Sequence, residues 1–456
     1  MGIPSTPPKL KDLMAEIEPE RLPHIFSLIQ KVRTPHRYLH WGKLRHCTPP
    51  QGISHREWWM AVKLSRMDAL KPMTLKDTGG EPFLFAVPEC VMKELHQIDL
   101  GAGGLVSLPD PITNSHTRDR YLVNSLIDEA ITSSQLEGSV TTRKVAKEMI
   151  RSGRKPRDTS ERMILNNYLT MQRIRDLKQS TLSEELVFDI HRLVTERTLD
   201  DLTAAGRFRR ANEECVVGDG FGQVYHQPPR AEELPERMAA MCAFANGKSP
   251  DYFIHPLVRA ILLHFWLAYD HPFVGGNGRT ARALFYWGML HSGYWLFEFI
   301  SISSILRKAP AAYARSFLYT ETDDNDLTYF LIEQIRVIHR AIRELHTYIE
   351  RKTEEVREIE SHMRALDLLN HRQVELIRHA LKHPGQRYTI ASHQKSHNVA
   401  YQTARTDLLR LAECGLLEKW KKGKQMVFTA PEDASDRLRS IEGNVPNESH
   451  PRTVGR

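Results

Sequence analysis

Little in this sequence points to a membrane or to a structural metal. Its five cysteines, Cys47, Cys90, Cys215, Cys242 and Cys414, are scattered and form no CxxC pair, so neither a disulfide framework nor a zinc site is indicated. No long uninterrupted apolar run occurs and mean hydropathy is -0.44, which argues against a membrane span. The opening residues, MGIPSTPPKLKD, lack the basic-then-apolar order of a secretory signal, and Pro4 spoils the myristoylation pattern that Met-Gly would open. These absences predict a soluble cytoplasmic protein without a membrane partner.

What the chain has is length and, in one place, positive charge. At 456 residues and 41% apolar composition, it can bury a large core and suggests two to four domains. The formal net charge is +7, and residues 371–430 carry all of it, with eleven lysines and arginines against four acids. Everything else is about neutral. This asymmetry makes nucleic acid a candidate partner of the C-terminal segment alone.

Residues 1–55 are rich in proline, histidine and basic residues, with one short amphipathic stretch at Leu22, Ile25, Phe26, Leu28 and Ile29. Arg56 to Leu70 has helical spacing, and its Trp58 and Trp59 are expected to pack on the main body. After turn-rich segments at 77–82 and 101–111, Tyr121 to Leu136 reads as a helix with Leu122, Leu126, Ile127, Ala130 and Ile131 on one face. Gly138 is placed to end it in the left-handed conformation. Glu137 then stands at the helix's negative end, an unfavourable site for a carboxylate unless a cation faces it.

Two further helices are expected over 159–200, a β-hairpin around Gly218-Asp219-Gly220, and a helix from Ala231 to Asn246. Helical spacing resumes over 300–319 and 327–345. It continues through Ile338, Ile342, Leu345, Ile349, Val356, Ile359, Met363 and Leu366 as a long exposed helix. That helix is a connector, with a coiled-coil contact in a homodimer as the alternative. From 369 to 430, two helices and a basic hairpin predict a helix-turn-helix with a wing. Asn398, Tyr401, Gln402, Thr403 and Arg405 begin the second helix, and Lys421, Lys422 and Lys424 lie in the wing. The polar residues 431–456 read as a disordered tail.

The chain is organised around His271-Pro272-Phe273-Val274-Gly275-Gly276-Asn277-Gly278-Arg279-Thr280-Ala281-Arg282, which joins two apolar helical stretches. Backbone N–H groups of Gly276, Asn277 and Gly278 would converge at a helix N-terminus, where unpaired donors and the helix dipole favour an anion. A phosphate fits that description.

This stretch resembles the Fic motif, HPFx(D/E)GN(G/K)RxxR, of enzymes that transfer AMP from ATP to a Ser, Thr or Tyr hydroxyl of a target protein. The upstream SSQLEG resembles that family's inhibitory motif, (S/T)xxxE(G/N), through Ser133, Glu137 and Gly138. The resemblance spans residues 90–345 and implies a mostly α fold: a Fic helical domain with a small β-hairpin flap, followed by the winged helix-turn-helix domain. The boundaries implied are an N-terminal helical and irregular extension (1–90), a Fic domain (91–345) with its inhibitory helix (121–138), a connector (346–368) and the winged-helix domain (369–430). It further implies that His271 is the general base, and that Asn277, Arg279 and the amides around Gly276 and Gly278 hold the α- and β-phosphates. Arg282 would grip the γ-phosphate, Glu137 would pair with Arg282, and Tyr313 would border the nucleotide-base pocket. The 215–225 hairpin would dock the target segment.

One position departs from the motif. Gly275 stands where the family has the acid that holds magnesium between the α- and β-phosphates, and glycine offers no side-chain ligand, so Mg2+ is implied by the family but not supported here. The resemblance therefore implies a self-inhibited adenylyltransferase, weakened at the metal site. Two alternatives stand beside it: a DNA-binding regulator whose Fic domain is catalytically impaired, and an enzyme that removes AMP from a modified protein.

Overall fold

A computed structural model describes residues 2–32, 38–103, 115–213, 215–218, 222–365, 369–383, 385–422, 425–431, 433–434 and 437–438. The chain divides into two units, Met1–Val106 with Val123–Arg343, and Ser107–Leu122 with Glu344–Arg456.

The first unit starts with α1 (Leu10–Glu16), α2 (Leu22–Val32), α3 (Trp41–Leu44) and α4 (His55–Met67). A capping box starts α4, in which Ser54 and Glu57 satisfy each other's backbone N–H groups. Its Trp59, Met60, Ala61 and Val62 pack with Leu13, Ile25, Leu28 and Leu44. Two cations of the same helix tie it to a distant corner: Lys63 Nζ lies 2.8 Å from both Asp323 and Asp324, and Arg66 donates to the Tyr329 hydroxyl at 2.8 Å. The N-terminal residues thus share one unit with the helices that follow.

An antiparallel pair, β1 (Lys71–Lys76) and β2 (Pro82–Phe85), brackets the turn expected at 77–82. The strands themselves escaped the sequence reading because the alternation that buries Met73 and Leu75 is too short to stand out. Next come α5 (Glu89–Ile98), α6 (Ser115–Leu136), α7 (Arg143–Ser152), α8 (Thr159–Asp176) and α9 (Glu184–Thr195). α5 and α7 had no sequence counterpart, and α6 begins six residues earlier than the helix expected from Tyr121. The hairpin consists of β3 (Val217–Gly218) and β4 (Val224–His226), and its expected turn residues Asp219 and Gly220 lie outside the described residues.

Then α10 (Leu234–Ala245) leads into the central hairpin of helices, α11 (Pro256–Asp270) and α12 (Asn277–His291). Both are buried on nearly all sides; α11 is apolar over most of its surface, whereas α12 carries Asn277, Arg279 and Arg282 inward at its start. The span 300–319, which has a single helical pattern, is broken into α13 (Ile302–Lys308) and α14 (Pro310–Thr322). Pro310 explains the break, since it has no N–H to continue a preceding helix and suits the first turn of a new one. α15 (Thr328–Ala365) is one 38-residue helix. The expectation of an exposed connector fails at its start, because Ile338 and Ile342 are 1% and 7% exposed. Leu366 lies outside the described residues.

In the second unit, α16 (His371–Lys382), β5 (Tyr388–Thr389), α17 (Ile390–His397), α18 (Tyr401–Glu413), β6 (Glu418–Lys422) and β7 (Gln425–Thr429) follow in order. The strands form an antiparallel sheet in the order β5-β7-β6. Leu376, Ile377, Ala404, Leu408, Leu411 and Phe428 form its core. Lys424 and most of the 431–456 tail lie outside the described residues.

Candidate active site

The loop between α11 and α12 is held from several directions at once. His271 caps α11 in the left-handed region, with φ 46, an unusual place for a residue with a side chain. Its Nδ1 faces the Ala268 carbonyl at 3.2 Å, which leaves Nε2 as the lone-pair nitrogen of a neutral ring. Arg209 donates from Nε to the His271 carbonyl at 3.0 Å and from its backbone N–H to the Pro272 carbonyl at 2.9 Å. His191, on α9, stacks on Phe273 with ring centroids 3.7 Å apart, accepts at Nδ1 from the Gly206 N–H, and donates from Nε2 to the Gly275 carbonyl at 2.9 Å. Neither Arg209 nor His191 was singled out in the sequence. Gly206-Arg207-Phe208-Arg209-Arg210 was visible as a basic cluster, but nothing local tells which arginine turns inward.

Asn277 has a structural task in the loop. The resemblance assigns it to the phosphates, but its side chain is engaged within the loop, accepting from the Phe273 N–H at 3.0 Å and donating to the Phe273 carbonyl at 2.7 Å. It is 2% exposed. An amide is the side chain that can satisfy a donor and an acceptor of one backbone residue together, so Asn277 braces the cradle. Gly276 supplies the turn before it, with φ 80, and a Cβ there would lie 2.5 Å from Thr195 Cγ2.

Ser133 and Glu137 face the second arginine of the motif. Arg282, 2% exposed, donates from Nε to Ser133 Oγ at 2.8 Å, and from Nη2 to the Ser133 carbonyl at 3.0 Å and to Glu137 Oε1 at 2.8 Å. The cation that the helix end required is therefore Arg282. Gly138, with φ 92, ends α6, and the Ser139 N–H returns to the Ser134 carbonyl in the manner of a Schellman cap. One helical turn before Ser133, buried Glu129 accepts from Tyr286, Ser301 and Ser303 and fixes this face of α6.

The Glu137 carboxylate also lies on the N-terminus of α12. A Cβ placed on Gly278 would sit 2.2 Å from Glu137 Oε1, so the absence of a side chain at 278 is what admits the carboxylate. Burial pushes the Glu137 carboxyl up, but the charge and hydrogen bond of Arg282, helped by Arg279, hold it below the usual carboxylate value. Arg279 is 4% exposed, donates from Nη1 to the Val194 carbonyl at 2.8 Å, and keeps a buried Nε without a hydrogen-bond partner. Desolvation lowers it to about 10, against the opposing pull of Glu137. The Tyr313 hydroxyl meets His264 Nε2 at 2.9 Å, and Arg282 acts on it by charge and hydrogen bond. Tyr313 thus stands beside the arginine clamp.

The residues present do not fit a magnesium ion. Gly275 has no side-chain ligand to offer, its carbonyl accepts from His191, and a Cβ there would press on Leu199 Cδ2 at 3.0 Å. Among the described residues no group of three or more His, Cys, Asp or Glu side chains could hold a metal.

The hairpin is anchored through His226, whose Nε2 lies 2.7 Å from the Tyr269 carbonyl and whose Nδ1 lies 2.8 Å from Glu321. Its Val216 and Val224 are 51% and 43% exposed.

Three buried histidines of this unit, His40, His191 and His264, and the half-buried His271 are held in the neutral form. Desolvation lowers His40, His191 and His271 to about 4 and His264 to about 3. Unfolded, each takes up a proton near the ordinary histidine value of about 6.5. The unfolded state therefore binds more protons on acidification, and stability must fall as pH drops from about 6.5 through about 4. Thermal melting at closely spaced pH values should show the melting temperature declining across that window, and His264→Phe should flatten the decline.

This loop and its braces lie in a region that known proteins share. The Fic/DOC family pattern matches residues 181–289. Those residues are a Fic domain. The protein adenylyltransferase Fic of Nematostella vectensis is 33% identical over 117 residues, which is 26% of this chain and 25% of that protein. The Aedes aegypti protein adenylyltransferase Fic is 32% identical over 108 residues, covering 24% of this chain and 19% of that protein. The chain thus matches a quarter or less of the length of these curated relatives. In solved structures, a Fic family protein from Desulfovibrio desulfuricans G20 superposes with a TM-score of 0.50 at 18% identity, over 75% of this chain and 95% of that one. That likeness speaks to fold. The Fic domain holds His271, the cradle and Arg282, whereas Ser133 and Glu137 reach it from α6, outside the matched residues. No helix among the described residues is long and apolar enough to cross a membrane.

Proposed function

We propose that the protein is a protein adenylyltransferase restrained by its own Glu137. A Ser, Thr or Tyr hydroxyl oxygen of a target protein attacks the α-phosphorus of ATP. The new O–P bond forms as the bond from that phosphorus to the α,β-bridging oxygen breaks, and pyrophosphate leaves. His271 takes the hydroxyl proton on Nε2, the nitrogen left free by the Nδ1 contact with Ala268, a role worth about 10²–10⁴ in rate.

The N-terminus of α12 and Arg279 face the charge that develops on the phosphates, through fixed dipoles and a donor, Arg279 Nε, that has no other partner. Arg282 receives the γ-phosphate once Glu137 withdraws. The target segment lies along β3 and β4, whose backbone can pair with an added strand. Without an acid at 275, the phosphate charge is met by arginines and amides alone, which weakens the enzyme relative to one with a metal ligand.

One observation carries this reading: a carboxylate of the chain itself occupies the anion site, with Glu137 on Gly278 and on Arg282, beside a neutral histidine. Names of the curated relatives, protein adenylyltransferase Fic, support the choice of nucleotide and reaction. The test is label position. With Glu137→Gly protein and a cell lysate, label at the α-phosphate of ATP should appear on protein while label at the γ-phosphate should not. Label transferred from the γ-position, or from neither, would overturn the proposal.

A further inference from the structure

The Fic domain accounts for neither the charge nor the architecture of residues 369–430. Here α17 ends at His397 and α18 begins at Tyr401, a three-residue turn in which Asn398 takes the left-handed conformation with φ 48. A short turn of this kind is how a helix-turn-helix sets its second helix across the first. One face of α18 is fixed inward by Ala404, Leu408 and Leu411, each 0% exposed.

The outward face of α18 is polar and basic. Gln402, Thr406 and Arg410 are exposed at successive four-residue steps, with Tyr401 54% exposed and Arg405 half-buried beside them. Its only acid before Glu413 is Asp407, which points inward. Asp407 is 3% exposed and is held by Arg372 Nε at 2.9 Å, Asn370 Nδ2 at 2.8 Å and His393 Nε2 at 3.3 Å. The first three turns of the helix therefore show no negative charge to solvent. On the sheet, Lys419, Trp420 and Lys421 are exposed along β6, and the Arg387 guanidinium lies 5.2 Å from the Trp420 ring.

We infer that the C-terminal unit binds duplex DNA, with the N-terminal half of α18 in the major groove and β6 along the phosphate backbone. The major groove admits one α-helix, and its base edges pair with the side-chain types on this face: Arg with guanine and Gln with adenine, each through two bonds. Lys395, Lys419, Lys421 and Arg387 are the phosphate contacts, which set affinity and register but not sequence. A duplex is favoured over a protein partner because the outward face of α18 offers charge and amides, without an unpartnered apolar stripe. The inference does not depend on nucleotide transfer by the Fic domain.

The experiment is fluorescence anisotropy of the full-length protein with a labelled random-sequence duplex, followed by selection of preferred sequences from a random library. Non-specific dissociation constants should fall in the range of roughly 10⁻⁴–10⁻⁶ M at physiological salt, with affinity dropping linearly on a log–log salt plot. Lys419→Ala with Lys421→Ala should weaken all duplexes alike and reduce the salt slope by about 2. Gln402→Ala and Arg405→Ala should each relax sequence preference and weaken selected duplexes about tenfold or more while leaving random duplex nearly unchanged. Circular dichroism and thermal melting establish that each variant is folded. Three results overturn the inference: no duplex binding at low salt, binding unaffected by all four substitutions, or binding of single-stranded RNA or of a polyglutamate chain as tight as that of duplex.

Discussion

Replacing Glu137 with glycine should raise transfer of α-labelled AMP to protein by about tenfold to a hundredfold, the size of a typical coupling between two competing anions at one site. The structure gives the cause. Glu137 Oε1 takes Arg282 Nη2 at 2.8 Å and rests against Gly278, and a triphosphate would bring its own charge to the same arginine and the same helix N-terminus. Two anions cannot share that space without repulsion in a partly desolvated site. The substitution opens no core cavity, because the Glu137 side chain is 29% exposed. It does take away the carboxylate hydrogen-bonded to Arg282 and leave Ser133 and Tyr313 beside it, and a buried cation stripped of its charged partner costs stability. The variant should therefore melt lower than wild type in buffer and recover when ATP is added, since a ligand bound only by the folded state shifts the melting temperature upward. A variant that melts lower and does not recover with ATP would point to structural damage, and its activity would then count for nothing in either direction.

Removing the His271 imidazole should have the opposite effect. His271→Asn in the Glu137→Gly background should lower transfer by about 10²–10⁴, the range attributed to a positioned general base. Asparagine is the informative choice. His271 has φ 46, a conformation asparagine adopts more readily than other residues with side chains, and an amide cannot take up a proton. Nucleotide affinity should stay within about threefold of the parent, since no phosphate contact is assigned to His271; a change of about 1 kcal/mol would be fivefold or more. Retained transfer with the asparagine would remove His271 from the chemistry.

How much of this site could be read before the structure depends on whether the signal was local. The α11–loop–α12 arrangement was legible because apolar helical stretches flank a glycine-rich turn. Glu137 was legible as a carboxylate in need of a cation, because Gly138 marked a helix end and the dipole argument followed. What the sequence concealed are contacts across long separations. His191 reaches Gly275 over 84 residues and Arg209 reaches the His271 carbonyl over 62, and a lone histidine or arginine in an amphipathic stretch carries no sign of such a partner. The Asn277 brace was hidden for a related reason: a polar side chain in an anion cradle suggests a ligand, and nothing local shows that the backbone of Phe273 lies within its reach and bonds both ends of the amide. Leu199 was invisible as well. The gap at Gly275 was evident, but only the fold reveals that a Leu199 methyl lies against the direction a side chain there would take.

Competition between Glu137 and the terminal phosphate of ATP for Arg282 is tested by calorimetric binding of ATP and of AMP to wild type and to Glu137→Gly protein. AMP lacks the phosphate that would reach Arg282. The substitution should tighten ATP binding about tenfold or more and leave AMP binding nearly unchanged. Equal changes for both nucleotides, or no change for ATP, would contradict that competition.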